Sequence, residues 1–272
     1  MPRSPLQLFS RVALALCVTS LATASLVSKA WALDDGADTT RMLSFGGFCM
    51  KCELSGRKIP DAWFMGANFT GASFVGSDLH GGRFVGSNFS HANLAHANLH
   101  GARLFGSDFN GCDFTLADLS GVSAHGANFV AATLVGTNFA GAELLGANLA
   151  KALGHDANFS GVSMFAAVLA DGHFDRASFR GANMVAASLA GSSFAGADFT
   201  GANLTHADLS GADLTTARGL TQTQVDSACS TPTTRLPTGL VARSCRVDAN
   251  VVALHAPVRA GTPHYVIAAP PP

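Results

Sequence analysis

The stretch "MGANFTGASFVGSDLHGGRFVGSNF", Met65 to Phe89, places a bulky apolar residue at every fifth position: Phe69, Phe74, Leu79, Phe84 and Phe89. Taking the bulky residue as i, the phase continues to Leu214, which makes 30 positions, of which 13 are Phe, 13 Leu and 2 Met. Only Ala124 and Gly154 depart from it. Position i-2 is Ala in 20 of the 30 and small in the rest, including Cys112. Position i-1 favours Asn, Asp or Ser, and position i+2 is most often Gly.

A strict five does not fit a helix, whose apolar stripe needs spacings of three and four. In extended backbone, i-2 and i point to the same side. An odd period would send the next pair to the other face of a straight strand. The chain must therefore turn once per repeat to keep every pair inward. Asn, Asp and Gly at the remaining positions supply turn chemistry. Turns near a right angle close a square coil in four repeats, and successive coils stack at strand spacing. Counted from Leu54 there are 33 registered positions, so the stack has about eight coils and is about 40 Å tall. One coil cannot bury its own core, so stacking supplies the stability.

The pattern A-(N/D)-(L/F)-x-x, as in "GANFT", "HANLA", "GADFT", "GANLT" and "GADLS", resembles that of the pentapeptide repeat family. The resemblance covers roughly residues 54–215. It implies an all-β fold, a right-handed quadrilateral β-helix. Columns twenty residues apart agree with such a coil. Positions 69 to 209 read F, F, F, F, L, L, L, L, and 79 to 199 read L, L, L, F, F, F, F.

Flanking segments have their own signals. Arg3 and Arg11 precede the apolar run Val12–Val27, and Ala30-Trp31-Ala32 offers a small-x-small cleavage site. Residues 1–32 therefore read as an export signal, cut after Ala32. The product is expected to be periplasmic or extracellular, with no membrane association once the signal is gone. Thr19, Ser20, Thr23 and Ser25 make the run a poor spanning helix. Residues 33–48 read as a linker, 49–215 as the repeat domain, 216–246 as a helical cap with a disulfide, and 247–272 as a loose tail. In the cap, Thr221 with Gln224 makes a capping box, and Leu220 with Val225 a hydrophobic staple. An oxidising compartment permits disulfides. Cys229–Cys245 is the pairing expected to pin the cap. Cys49-Met50-Lys51-Cys52 is a C-x-x-C whose two cysteines share the inward phase, so a local Cys49–Cys52 bridge is expected. The competing zinc half-site needs two more ligands at suitable spacing. A redox motif needs a strand and helix context.

The sequence carries no nucleophile elbow, phosphate-binding loop or zinc-protease signature, and a filled coil leaves no pocket for converging polar groups. No enzyme activity and no cofactor are expected. His80 and His100 share a column one coil apart, with His91 and His96 nearby. They suggest a metal site less well than they suggest a polar face. Some members of the resembled family mimic DNA in shape and charge and inhibit DNA gyrase. Here residues 65–215 hold 5 bases and 11 acids, a net charge of -6. That is far below the phosphate density of a duplex, so no nucleic-acid role is expected.

The outward positions are more informative. The i+1 column at 85, 105, 125, 145, 165 and 185 reads Val85, Phe105, His125, Leu145, Phe165, Val185. The column at 80 to 200 reads H, H, S, A, S, R, T. Contiguous exposed apolar surface marks contact sites. The first column therefore reads as a face for a protein partner or for self-association as a homodimer. The function expected is a non-catalytic exported scaffold. The alternatives are a gyrase-type DNA mimic and a metal-binding exported protein.

Overall fold

The computed structural model describes residues 43–45, 47–242 and 244. The described residues belong to one compact unit, 39–272. Their register is set by a single rule. Strand β1 (Leu43–Phe45) pairs in parallel with β2 (Trp63–Met65), Leu43 opposite Trp63. From Phe48↔Asn68 to Asp198↔Arg218, parallel bridges then join residues twenty apart, one every five residues. This is a right-handed β-helix.

Each repeat closes the same way. The Ala72 N–H donates to Phe69 O at 2.9 Å, Gly71 between them has φ 66°, and the pair forms the corner of the coil. A positive φ at the third turn residue is the type II pattern, which explains the glycines at i+2. Where glycine is absent the corner keeps its geometry: His91, His96, Leu116, Ala131 and Lys151 all have φ between 54° and 61°. Backbone stacking overrides the local preference. The i-1 side chain adds a second lock. Asn68 Oδ1 accepts from the Thr70 N–H at 3.0 Å, Asn88 from Ser90 at 2.8 Å and Asp108 from Asn110 at 3.0 Å. A carboxamide or carboxylate two residues before a corner donor is the reason for Asn and Asp at i-1.

Coil-to-coil bonds flank the inward residues of the regular coils. Phe69 N donates to Asn88 O at 2.6 Å, and Asn88 N donates to Ala67 O at 2.8 Å. The i and i-2 side chains fill the interior. Phe139, Phe159, Phe179 and Phe199 stack with centroids 5.0, 5.1 and 5.1 Å apart. Phe69, Phe89, Phe109 and Phe129 stack at 4.8, 5.0 and 5.1 Å. The exception at Gly154 has a packing reason: a Cβ there would lie 2.6 Å from Cδ1 of Phe174, one coil on. Buried hydroxyls are bonded. Ser77 donates to Phe74 O and Thr137 to Phe114 O. Cys112 is buried in the core and its thiol donates to Phe89 O at 2.8 Å.

Both ends depart from the regular coil, and the capping box read at Thr221 and Gln224 is present at the far one. Among the described residues coil pairing already includes Leu43, inside the segment 33–48 that the sequence assigns to a linker. Leu43-Ser44-Phe45 carries no small-then-bulky signature at its inward phase. Pairing here depends on the edge offered by β2. Cys49 and Cys52 lie with their sulfurs 2.03 Å apart. At the far end a short helix, α1 (Gln222–Ser227), starts at Thr221, whose hydroxyl accepts from Gln224 N while the Gln224 side chain accepts from Thr221 N. Gln224 Nε2 also donates to Phe199 O and Ala202 O, carbonyls of the last regular coil. Beyond α1 the bridge spacing lengthens, with Asp208↔Cys229 and Asp213↔Arg235. Cys245 and the tail 247–272 lie outside the described residues, as does the 1–32 signal.

Candidate functional site

The column expected to form a contact face is built by the coil register. Gly86 N donates to Phe105 O at 2.9 Å, Gly106 N to His125 O at 3.0 Å, Gly126 N to Leu145 O at 2.9 Å and Gly146 N to Phe165 O at 2.9 Å. Ala166 N closes the series on Val185 O at 2.9 Å. These bonds hold Val85, Phe105, His125, Leu145, Phe165 and Val185 in one line, each a coil above the last. All six point away from the core. Leu145 is 42% exposed and Phe165 45%, while the other four are half-buried against their column neighbours.

His125 is integrated into this strip. Its ring centroid lies 5.1 Å from that of Phe105, and Nε2 lies 3.1 Å from Glu143 Oε2. Ser123 Oγ donates to the same carboxylate oxygen at 3.0 Å. Glu143 thus draws the polar edge of the imidazole to the side and leaves a ring face in the apolar line. Sequence reasoning missed Met65. It occupies the same column one coil before Val85, is 39% exposed, and its neighbour Gly66 N donates to Val85 O. The twenty-residue phase contains the signal, since 65 precedes 85 by one coil.

Polar columns flank the strip. On one side stand Arg83, Arg103, Ser123 and Glu143, with Arg83 5.6 Å over the Trp63 ring. On the other side stand Asn88, Asp108, Asn128 and Asn148. Asn128 Nδ2 donates to Asp108 Oδ1 at 2.9 Å, so this column is internally bonded.

The histidines considered as metal ligands are not brought to one point. His80 Nδ1 donates to Asp78 Oδ1 at 2.7 Å, and His100 Nδ1 pairs with Ser120 Oγ at 2.9 Å. His91 and His96 are corner residues with φ 59°. Burial pushes the Asp78 carboxyl up, but the His80 side-chain and backbone bonds outweigh it and hold the group below its usual range. Among the described residues no set of three His, Cys, Asp or Glu side chains has the geometry to hold a metal ion. No helix among them is long and apolar enough to cross a membrane. Cys112, drawn into the core, has its thiol pushed up to about 12 by burial.

The model for pentapeptide repeats matches in eight copies, over overlapping segments that run from 49–84 to 182–218. The chain belongs to the pentapeptide repeat family. Similar solved members include HetL of the cyanobacterium Nostoc sp. strain PCC 7120, described as involved in heterocyst differentiation regulation. It is 29% identical over 60% of this chain and 82% of its own, with a TM-score of 0.36. QnrB1, a plasmid-mediated fluoroquinolone resistance protein, is 24% identical over 70% and 91%, with a TM-score of 0.34. A pentapeptide repeat protein of the Arabidopsis thaliana thylakoid lumen is 23% identical over 59% and 70%, with a TM-score of 0.29. A search of curated proteins finds no match.

Proposed function

We propose that this chain is an exported, non-catalytic scaffold that works by protein–protein contact along the strip from Val85 to Val185. One observation carries the reading. In a molecule whose inward positions already bury its apolar residues, a second set of large apolar side chains is held in line on the outside. A solvated face has no use for Leu145 and Phe165, and contiguous exposed apolar surface marks contact sites.

The supporting frame is a four-sided coil, one bridge per side in every twenty residues. A Cys49–Cys52 bridge ties its first coil. Helix α1 closes its last. The surface charge favours a scaffold over a DNA mimic. Asp156, Asp198 and Asp213 each pair with an arginine, Arg176, Arg180 and Arg235, at 2.5 to 2.9 Å. A phosphate-like array needs its acids unpaired.

Two measurements test the proposal. The full chain and a Phe105→Ser/Phe165→Ser variant are compared as bait for protein from the exported fraction, and by sizing in solution. Complexes that are the same for both refute a contact role for the strip. N-terminal sequencing of the exported product is expected to begin at Leu33. An uncleaved, retained chain refutes export.

A further inference from the structure

The order of residues along the strip is mirror-symmetric. From one end it reads Val85, Phe105, His125, and from the other Val185, Phe165, Leu145. Only the central pair differs. The coil-to-coil bonds make the spacing uniform, so the mirror plane of the sequence is also the midpoint of these six residues in space. At a strand spacing of about 4.8 Å, the six residues extend over about 24 Å.

We infer that the strip is the contact between two copies of this chain, packed antiparallel about a two-fold axis crossing the strip between the coils of His125 and Leu145. The inference rests on the contact-face reading and names its occupant. An isologous interface requires a surface that complements itself when reversed. Reversal here sets Val85 opposite Val185 of the second copy, Phe105 opposite Phe165, and His125 opposite Leu145. Most columns on this molecule do not survive reversal. The column at 75, 95, 115, 135, 155 and 175 reads V, A, T, V, H, D.

Charge agrees with this orientation. In the flanking column, Arg83, Arg103 and Ser123 occupy one half, and Glu143, Ser163 and Asn183 the other. Reversal brings the arginine half of one copy over the half of the second copy that carries the acid. Arg103 then lies one coil from the opposing Glu143, within reach of its side chain. A parallel pair would match any column to itself whatever its order, leaving the mirror order without a cause. It would also stack His125 on His125.

The corner column supplies room. Gly86, Gly106, Gly126 and Gly146 stand beside the strip, and a Cβ at any of them would meet nothing within 4 Å. A second copy can approach these bare corners closely. The next residues outward, Met65 and Thr205, oppose each other beyond the matched six without like charges.

The test uses the full chain at micromolar concentration in sedimentation equilibrium. A dimer is expected. Phe105→Ser/Phe165→Ser should weaken it on the order of 100-fold or more, because two apolar anchors are lost from each copy. Circular dichroism confirms that the variant, altered only outside the core, retains its fold. Gly126→Asn should also weaken the dimer. Asn tolerates the φ of +63° at that corner, so the monomer should keep its fold. Orientation is read by mixing Val85→Cys chains with Val185→Cys chains under mild oxidation. Cross-linked heterodimer in the mixture, with neither variant cross-linking alone, supports the antiparallel pair. Self-cross-linking of each variant overturns it, as does a monomer at every concentration, or a dimer untouched by the Phe and Gly variants. If the chain is monomeric yet its strip variants lose a captured partner, only the second-copy inference falls.

Discussion

Phe179 sits at the middle of an inward stack, and its removal measures what that stack contributes. Its ring lies 5.1 Å from both Phe159 and Phe199, at interplanar angles of 5° and 13°. It also meets Phe174 and Phe194 edge-on at 6.1 and 5.7 Å. The side chain is fully buried. A buried aromatic ring removes about 150–250 Å² from water, which at about 25 cal/mol per Å² corresponds to roughly 4–6 kcal/mol. Measured large-to-small truncations of buried Phe cost about 3–5 kcal/mol. With four ring neighbours losing a partner, Phe179→Ala should fall in the upper part of that range, about 4–5 kcal/mol. Phe179→Leu should cost about 1–1.5 kcal/mol, because it keeps most of the volume. The control is Phe48→Ala at a ring that is 83% exposed, expected within about 0.5 kcal/mol of the parent. Urea unfolding followed by far-ultraviolet circular dichroism gives the values. Trp63 fluorescence reports separately on an early coil, since repeat stacks can unfold in parts. A cost below about 1 kcal/mol for Phe179→Ala, or one matched by Phe48→Ala, would refute the division into inward and outward positions.

Other outcomes follow from the same geometry. Asp198 is held down to about 2, first by the Thr200 hydroxyl and then by the Thr200 N–H and Arg180. Asp213 is lowered first by the Thr215 hydroxyl. A depressed carboxylate stabilises the fold above its unfolded value of 3.8 and loses that contribution as pH falls through the folded value. Melting temperature should therefore drop between pH 4 and pH 2, and Asp198→Asn should reduce the drop. An unchanged drop would discount Asp198. Gly219→Ala should destabilise by more than about 2 kcal/mol, because its Cβ would lie 2.6 Å from Thr200 N at φ +72°. Gly126→Ala meets open space and should cost only about 1–2 kcal/mol of left-handed backbone strain. Paired thermal melts compare the two. Cys112 should resist thiol reagents at pH 8 in the native state and react only in denaturant, since burial holds it protonated. Native-state labelling at Cys112, located by peptide mapping, would contradict its place in the core.

Much of this protein can be read from residues one at a time because its period is short. Five-residue spacing, with a small residue at i-2 and a bulky one at i, separates inside from outside for Leu104 and Phe105 although they are adjacent. Leu104 is fully buried and Phe105 is not. Turn chemistry at i-1 and i+2 is local, so the corners were legible too. The twenty-residue columns were legible as well, but the departures at the ends and the side-chain contacts between coils were not. The pairing of Leu43–Phe45 with Trp63–Met65 has no inward signature, and it forms because β2 presents a free edge. Bridges beyond α1 lengthen to Asp208↔Cys229 and Asp213↔Arg235 because the helix inserts extra chain, a length no repeat pattern encodes. The orientation of His125 depends on Glu143, a coil away, and the exposure of Met65 at the head of the strip depends on how its coil is covered. The sequence by itself determined which side chains face in and where the chain turns, since both follow from neighbours within five residues. Only the tertiary structure decided how far each outward residue is covered and which partners turn its polar edge, since that is set by contacts between side chains on neighbouring coils.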